Sequence, residues 1–324
     1  MTLYLEDRWI WDFWLAQEGP DYHVFYLQAP RSLGAPELRH WNVSIGHAVS
    51  RDLRDWDVLA DALHPSPKGS DGFDTCTPWT GSIIRHAGLW YLFYTGGRTS
   101  EGGLIQRIGL ATSTDLMRWQ KHPANPRIEA DPRWYELLDL DAWDDQAWRD
   151  PWVFQHPDRG DYHAFITARV NYGPPDDRGV IAHTRSEDLI HWEVLPPVTE
   201  PGDFGYKEVP QLVDVHGRYH LLFSVQRAIH SSRWHRRTGR EPLTGVHDRA
   251  ADDPLGPFPV ATDRTLVGDE TGSLYAAKLV QDPHGEWVML AARMVVPDGS
   301  FVGALSDPIP VTVSETGLLS ASQP

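Results

Sequence analysis

Apolar residues along the chain come in short runs closed by glycine, proline, aspartate or asparagine. Typical stretches are GSIIRHAGLWYLFYTG (81–96), YHAFITARV (162–170) and PQLVDVHGRYHLLFSV (210–225). Valine, isoleucine, threonine and aromatic rings dominate them, which is the residue set of a pleated, half-buried surface. HAG (86–88) and VHG (215–217) sit between such runs and read as hairpin turns. Helical periodicity is nearly absent, with one plausible helical stretch at 134–140. The chain is therefore expected to be all-β.

A repeated signature sets the number of units. SRDLRDW (50–56), STDLMRW (113–119) and SEDLIHW (186–192) all read S-x-D-L-x-x-W and start 63 and 73 residues apart. Each follows a short strand-like run: IGHAV, IGLAT and VIAHT. DDPLGPF (252–258) is a degenerate fourth mark, and a fifth unit fits SLYAAKLV, EWVMLAAR and FVGALS. Several strands per unit, repeated about five times, predict a five-bladed β-propeller of four-stranded antiparallel blades. One catalytic domain is expected over 1–324, with no C-terminal β-sandwich. A two-sheet sandwich would explain the strands but not the repeat. In the mark itself, Ser or Asp should cap a tight turn and Trp should pack between blades. The basic stretch HSSRWHRRTGR (230–240) reads as a solvated rim loop.

Composition narrows the function. Lys plus Arg number 29 against 45 Asp plus Glu, a formal net charge of −16. Such a surface repels nucleic acid and anionic membranes and leaves a neutral substrate as the expectation. The 15 Trp, 11 Tyr and 10 Phe suit a sugar cleft, where a ring stacks on the apolar face of a sugar. Cys76 is the only cysteine, so no internal disulfide forms, which fits a reducing compartment. MTLYLEDRW has neither the basic nor the apolar region of a signal peptide. No apolar run approaches the ~20 residues a spanning helix needs. Cytoplasmic location is the resulting expectation. Sixteen histidines include no H-E-x-x-H or similar ligand pattern, and His230 and His235 read as structural. No phosphate-binding glycine loop is present, so neither metal nor cofactor is expected. Cys76 reads as a small packed residue.

Three acidic residues stand before strand-like runs in three different units: Asp12 in WIWDFW, Asp150 in AWRDPWVF and Glu208 in GYKEVPQLV. Inner strands of a propeller line a central funnel, so residues far apart in sequence can meet there. Carboxylates among rings and prolines are desolvated, and their proton affinities can be driven apart. Glycosidases need that separation, one carboxylate ionised and another protonated. A sugar-binding propeller without catalysis is the reading from a different class, although binding alone needs no proton donor.

These stretches resemble the β-fructosidase superfamily, the invertase and levansucrase type of glycosidase (families 32 and 68). WIWDFW…DYHVFYLQAP is similar to the nucleophile segment, and WNVSIGHAVSRDLRDWDVL to the W-G-H-A-x-S-x-D-L-x-x-W stretch. PWTGSIIRHAGLWYLFYTG resembles the W-S-G-S segment at the fructosyl ring, WRDPWVF the Arg-Asp-Pro motif, and YKEVPQLVDV the Glu-x-Pro acid/base segment. ETGSLYAAKLV looks like the fifth-blade D-x-G-x-x-Y-A segment, with Glu270 in place of its aspartate. The Asn-Asp-Pro-Asn-Gly of invertases is absent around Asp12. The resemblance implies a retaining glycosidase of β-fructofuranosides such as sucrose or fructo-oligosaccharides, with fructosyl transfer when a sugar replaces water. It assigns Asp12 as nucleophile, Glu208 as acid/base and Asp150 as transition-state stabiliser. Trp11, Trp14, Gln17, Trp79, Ser82, Arg149 and Tyr275 become substrate-binding candidates. The rival on the same fold is an inverting arabinofuranosidase or xylosidase type (families 43 and 62).

Overall fold

The computed structural model describes residues 3–259 and 265–322. Five antiparallel sheets are arranged as blades. Blade I holds β1 (Arg8–Glu18), β2 (Asp21–Pro30), β3 (Ser44–Ser50) and β4 (Asp57–Val58). Blade II holds β5 (Thr77–His86), β6 (Leu89–Gly97), β7 (Gln106–Ser113) and β8 (Gln120–Lys121). Blade III holds β9 (Trp148–Gln155), β10 (Tyr162–Arg169), β11 (Gly179–Ser186) and β12 (Glu193–Leu195). Blade IV holds β13 (Glu208–Val215), β14 (Arg218–Val225), β15 (Thr244–Ala251) and β16 (Thr265–Asp269). Blade V is built from β17 (Leu274–Gln281), β18 (Trp287–Val295), β19 (Phe301–Leu305), β20 (Ile309–Val313) and β21 (Leu319–Ala321). Its third strand is broken: β19 pairs the upper half of β18, and β20 pairs the lower half.

The core forms a ring of five apolar layers between neighbouring blades. Phe25 and Trp14 meet Leu92 and Tyr94 between blades I and II, and Phe93 meets Trp148 and Val153 between II and III. Phe165 meets Leu212 and Phe223 between III and IV, and Leu222 meets Leu279 and Met289 between IV and V. Ile10 and Phe13 meet Leu290 and Leu305 across the closing seam. Leu3 closes the ring by pairing with Leu305, its carbonyl accepting from the Leu305 amide at 3.0 Å. Arg31 of blade I donates to the carbonyls of Val302 (2.9 Å) and Gly303 (3.3 Å) beside it.

The repeated mark works as expected. Asp52, Asp115 and Asp188 each accept from the backbone amides two and three residues on. The next residue in each copy, Leu53, Leu116 or Leu189, is fully buried with φ between 61° and 64°. The tryptophan then crosses to the preceding blade: Trp119 meets Phe25 edge-on at 5.7 Å and Trp192 meets Phe93 at 5.3 Å. In the degenerate copy Phe258 takes that place against Phe165. Both hairpin turns are present, with Ala87–Gly88 and His216–Gly217 all at positive φ. The stretch 134–140 is not helical. Tyr135 bridges to Val170 and its hydroxyl donates to the Leu195 carbonyl at 2.6 Å, which draws the segment into blade III instead. The one α-helix among the described residues lies in the basic rim stretch, at Ser232–Thr238, capped by the Ser231 hydroxyl.

Candidate active site

All five inner strands break register at the same level. On β1, Trp11 and Asp12 oppose Leu27, and on β9, Asp150 and Pro151 oppose Ile166. Val209 and Pro210 on β13 oppose Phe223, and Ala276 and Ala277 on β17 oppose Ala291. On β5 the extra residue is Thr80. A bulge bends its strand and re-aims the side chains around it, and proline is tolerated there because no ladder donor is lost. The prolines of the RDP and EVP stretches therefore sit where the ladder is already broken. Asp150 (φ 59°), Val209 (φ 51°) and Ala276 (φ 51°) take left-handed backbone at these bulges. Such strain in non-glycine residues concentrates at functional positions.

The bulges bring Trp11, Asp12, Trp79, Thr80, Arg149, Asp150 and Glu208 around one cavity of about 180 Å³, together with Leu27, His40 and Asp145. At ~30 Å³ per water, that is space for about six waters, the scale of a single sugar ring. Asp12 accepts from the Thr80 hydroxyl at 3.0 Å. Burial pushes its carboxyl up to about 7; Asp150 and Glu208 add to this, while Thr80 and Arg39 act the other way. Burial likewise raises Asp150 to about 6, against the pull of Arg149. Asp150 lies 3.9 Å from Arg149 and accepts from the Val209 amide (3.1 Å) and the Thr167 hydroxyl (3.0 Å). Glu208 receives Arg149 at 2.9 and 3.2 Å on one oxygen and the Tyr275 hydroxyl at 2.6 Å on the other.

Arg149 is the hub. Its third nitrogen meets Asp145 and the Gln106 side-chain oxygen, each at 3.1 Å, and the Tyr206 ring lies 5.1 Å away. Burial lowers its proton affinity, but Asp145, Glu208 and Asp150 together more than restore it, so it stays cationic. At the rim the Trp79 indole donates to the His40 carbonyl (3.0 Å), and half-exposed Trp41 lies 5.7 Å from Trp79. Burial, then Arg39 and Arg149, hold His40 neutral at about 3.

Of the candidates read from sequence, Trp11, Asp12, Trp79, Arg149, Asp150 and Glu208 line the cavity, and Tyr275 reaches it through Glu208. Trp14, Gln17 and Ser82 lie elsewhere. Below the bulges the blades close on each other, so side chains further down an inner strand enter packing. Trp14 stacks on Phe25 at 6.3 Å, and Ser82 accepts from the Val153 amide. Gln17 lines a separate cavity with Leu15, Trp152 and Lys278. Glu270 is exposed and faces Arg227 at 3.6 Å. Thr80, Thr95, Gln106, Asp145 and Thr167 were not anticipated. Asp145 carried a legible signal, since it stands four residues before Arg149.

Residues 15–301 match the N-terminal domain of glycosyl hydrolases family 32. The chain belongs to this family. Asp12 and Trp11 lie just before the matched span; Trp79, Arg149, Asp150, Glu208 and Tyr275 lie within it. The chain is similar to the sucrose-6-phosphate hydrolase of Bacillus subtilis (strain 168), with 30% identity over 212 residues, 63% of this chain and 39% of that protein. It is also similar to an invertase of Schizosaccharomyces pombe, with 28% identity over 217 residues, 62% of this chain and 32% of that one. The chain thus spans under two-fifths of the length of these relatives. Among solved structures, an inulosucrase from Halalkalicoccus jeotgali bound to kestose superposes with a TM-score of 0.76 at 20% identity, covering 100% of this chain and 90% of that one. A thermostable family-43 glycoside hydrolase superposes at 0.70 and 16% identity, covering 100% and 96%. At these identities the likeness is one of fold. Among the described residues no helix is long and apolar enough to cross a membrane.

Proposed function

We propose that this family-32 chain is a retaining β-fructofuranosidase acting on sucrose or fructo-oligosaccharides, with fructosyl transfer when a sugar takes the place of water. The observation that carries this reading is the meeting of three carboxylates from three blades, Asp12, Asp150 and Glu208, around one ring-sized cavity walled by Trp11 and Trp79. Asp12 attacks the anomeric carbon as the bond to the leaving oxygen breaks, giving a covalent fructosyl-enzyme. Glu208 gives its proton to the leaving oxygen, then takes one from the incoming water or sugar. Asp150, fixed by the Val209 amide and the Thr167 hydroxyl, holds ring hydroxyls more tightly as positive charge develops on the ring. Trp11 and Trp79 exclude water and stack on the sugar. The partner is a neutral sugar, and a chain of net charge −16 disfavours nucleic acid. One cysteine supports the cytoplasm as its compartment.

The test is hydrolysis of sucrose, kestose, inulin and levan, with the first-formed anomer followed by NMR. β-Fructofuranose as first product and loss of turnover in Asp12→Ala are expected. α-Fructofuranose as first product would make the enzyme inverting. Near-native activity of Asp12→Ala would remove Asp12 as nucleophile.

A further inference from the structure

A chain of hydrogen bonds runs round the funnel through all five blades at the level of the bulges. Lys278 of blade V donates to the Val209 carbonyl of blade IV at 2.9 Å. The Val209 amide donates to the Asp150 carboxylate of blade III (3.1 Å), and the Asp150 amide donates to the Thr95 hydroxyl of blade II (2.9 Å). That hydroxyl donates to the Thr80 carbonyl (3.0 Å), and the Thr80 hydroxyl donates to Asp12 of blade I (3.0 Å). Lys278 is the only charged donor in the circuit. It is 2% exposed, also reaches the Pro210 carbonyl at 3.3 Å, and lies 5.5 Å from the Trp152 ring. It forms part of the wall of the second cavity, of about 180 Å³, that Gln17 shares.

Arg149 is taken up by Asp145 and Glu208, and lies 3.9 Å from Asp150. Asp12 has the Thr80 hydroxyl, and Arg39 is a positive charge near it. A buried ammonium that donates to neutral carbonyls carries a desolvation cost with no carboxylate in direct contact, and such a group persists where nearby negative charge holds it.

We propose that Lys278 is a positioning residue for this site: a buried amine that pins the Val209–Pro210 bulge behind Glu208, and with it the Val209 amide on Asp150, with Asp150 and Asp12 as the charges it faces. The role rests on the reading of Asp12 and Glu208 given above. The charges facing Lys278 are Asp150 and Asp12; burial lowers its amine to about 7 and those two carboxylates draw it back up. Asp12 is faced in turn by Asp150, Glu208 and Arg39, and Asp150 by Arg149 and Glu208.

Two measurements test it. The lysines of the chain are Lys68, Lys121, Lys207 and Lys278, so ε-15N-lysine NMR can follow the Lys278 amine, assigned with Lys278→Arg. In the otherwise unaltered protein it should titrate near neutrality, and in Asp12→Asn about one pH unit lower, the scale of one lost opposite charge. A midpoint unmoved by Asp12→Asn, or one in the ordinary lysine range, overturns the proposal. In Lys278→Met the acid limb of kcat/KM on sucrose should move up by about one pH unit, with kcat down about tenfold or more. A merely structural lysine would lower the rate and leave the limb in place, which also overturns it. Absence of fructofuranoside hydrolysis alongside a shifted Lys278 midpoint would refute the assigned function and leave the coupling standing.

Discussion

Replacing Arg149 by methionine keeps an unbranched apolar stem and removes the cation that three carboxylates share. The guanidinium makes contacts of 2.9 and 3.2 Å to Glu208, 3.1 Å to Asp145 and 3.1 Å to Gln106, and lies 3.9 Å from Asp150. Its side chain is only 10% exposed, so water can replace the lost contacts only from the cavity side. Breaking a buried pair by deleting one partner costs about 3–5 kcal/mol. At ~2.1 cal/mol/K per residue, a chain of this length loses about 1.5 °C of Tm per kcal/mol, so the expected loss is ~4–7 °C. The pH dependence separates charge from shape. Asp150 is already raised to about 6 by burial despite Arg149, and without Arg149 it rises further. A carboxyl whose folded value lies above its unfolded value of ~3.9 costs stability only above that unfolded value. The gap between Arg149→Met and the parent should therefore be small up to about pH 5, grow above pH 6, where Asp150 ionises in the parent but not in the variant, and level off only above the variant's own higher value. Differential scanning calorimetry across that range measures it. A gap of equal size at pH 4 and pH 8 would mean that packing, not the shared charge, is what Arg149 contributes.

Asp12→Asn should abolish hydrolysis and stabilise the fold. Asp12 moves from 3.8 to about 7 on folding, and after discounting for water on the funnel side the neutral amide should gain about 2 kcal/mol at pH 8 and nothing at pH 4; denaturant unfolding at both pH values decides. His47, His183 and His247 are buried neutral, each lowered to about 3, mainly by burial. Their folded values lie below the unfolded 6.5, so stability is full above pH 6.5 and falls as pH drops toward 3, by about 2 kcal/mol per imidazole at pH 5. Asp12 and Asp150 change in the opposite sense. The double variant His47→Gln/His183→Gln should flatten the fall in urea midpoint between pH 7 and 5, and an unchanged slope would count against the imidazoles.

The blade number was legible because each S-x-D-L-x-x-W copy is a local device: an aspartate caps its own turn within three residues, and its tryptophan needs only the neighbouring blade. Asp12, Asp150 and Glu208 were legible because they stand at bulges marked by rings or proline. Thr80, Thr95 and Thr167 were not, since hydroxyls on strands of half-buried surface look alike until register is known. Trp14, Gln17 and Ser82 were misjudged for a related reason. Sequence gives the alternation of a strand but not the depth at which the funnel ends. The short Ser232–Thr238 helix escaped notice because its composition is that of a charged loop, and its cap, Ser231, is one serine among several.

The seam between blades I and V has a consequence in time. Its parts are Leu3 against Leu305, Arg31 on the Val302 and Gly303 carbonyls, and Arg39 stacked between the Phe301 and Trp11 rings at 4.2 and 5.5 Å. Trp11 is a wall of the pocket and Tyr275 holds Glu208 from blade V. Synthesis runs from blade I to blade V, so Asp12, which Thr80 and Arg39 can already reach, still waits for the closing blade to complete the wall around it. Four finished blades leave an open arc in which Glu208 still lacks the Tyr275 hydroxyl. The pocket is therefore expected to reach its final form in one late step, when the arc becomes a circle.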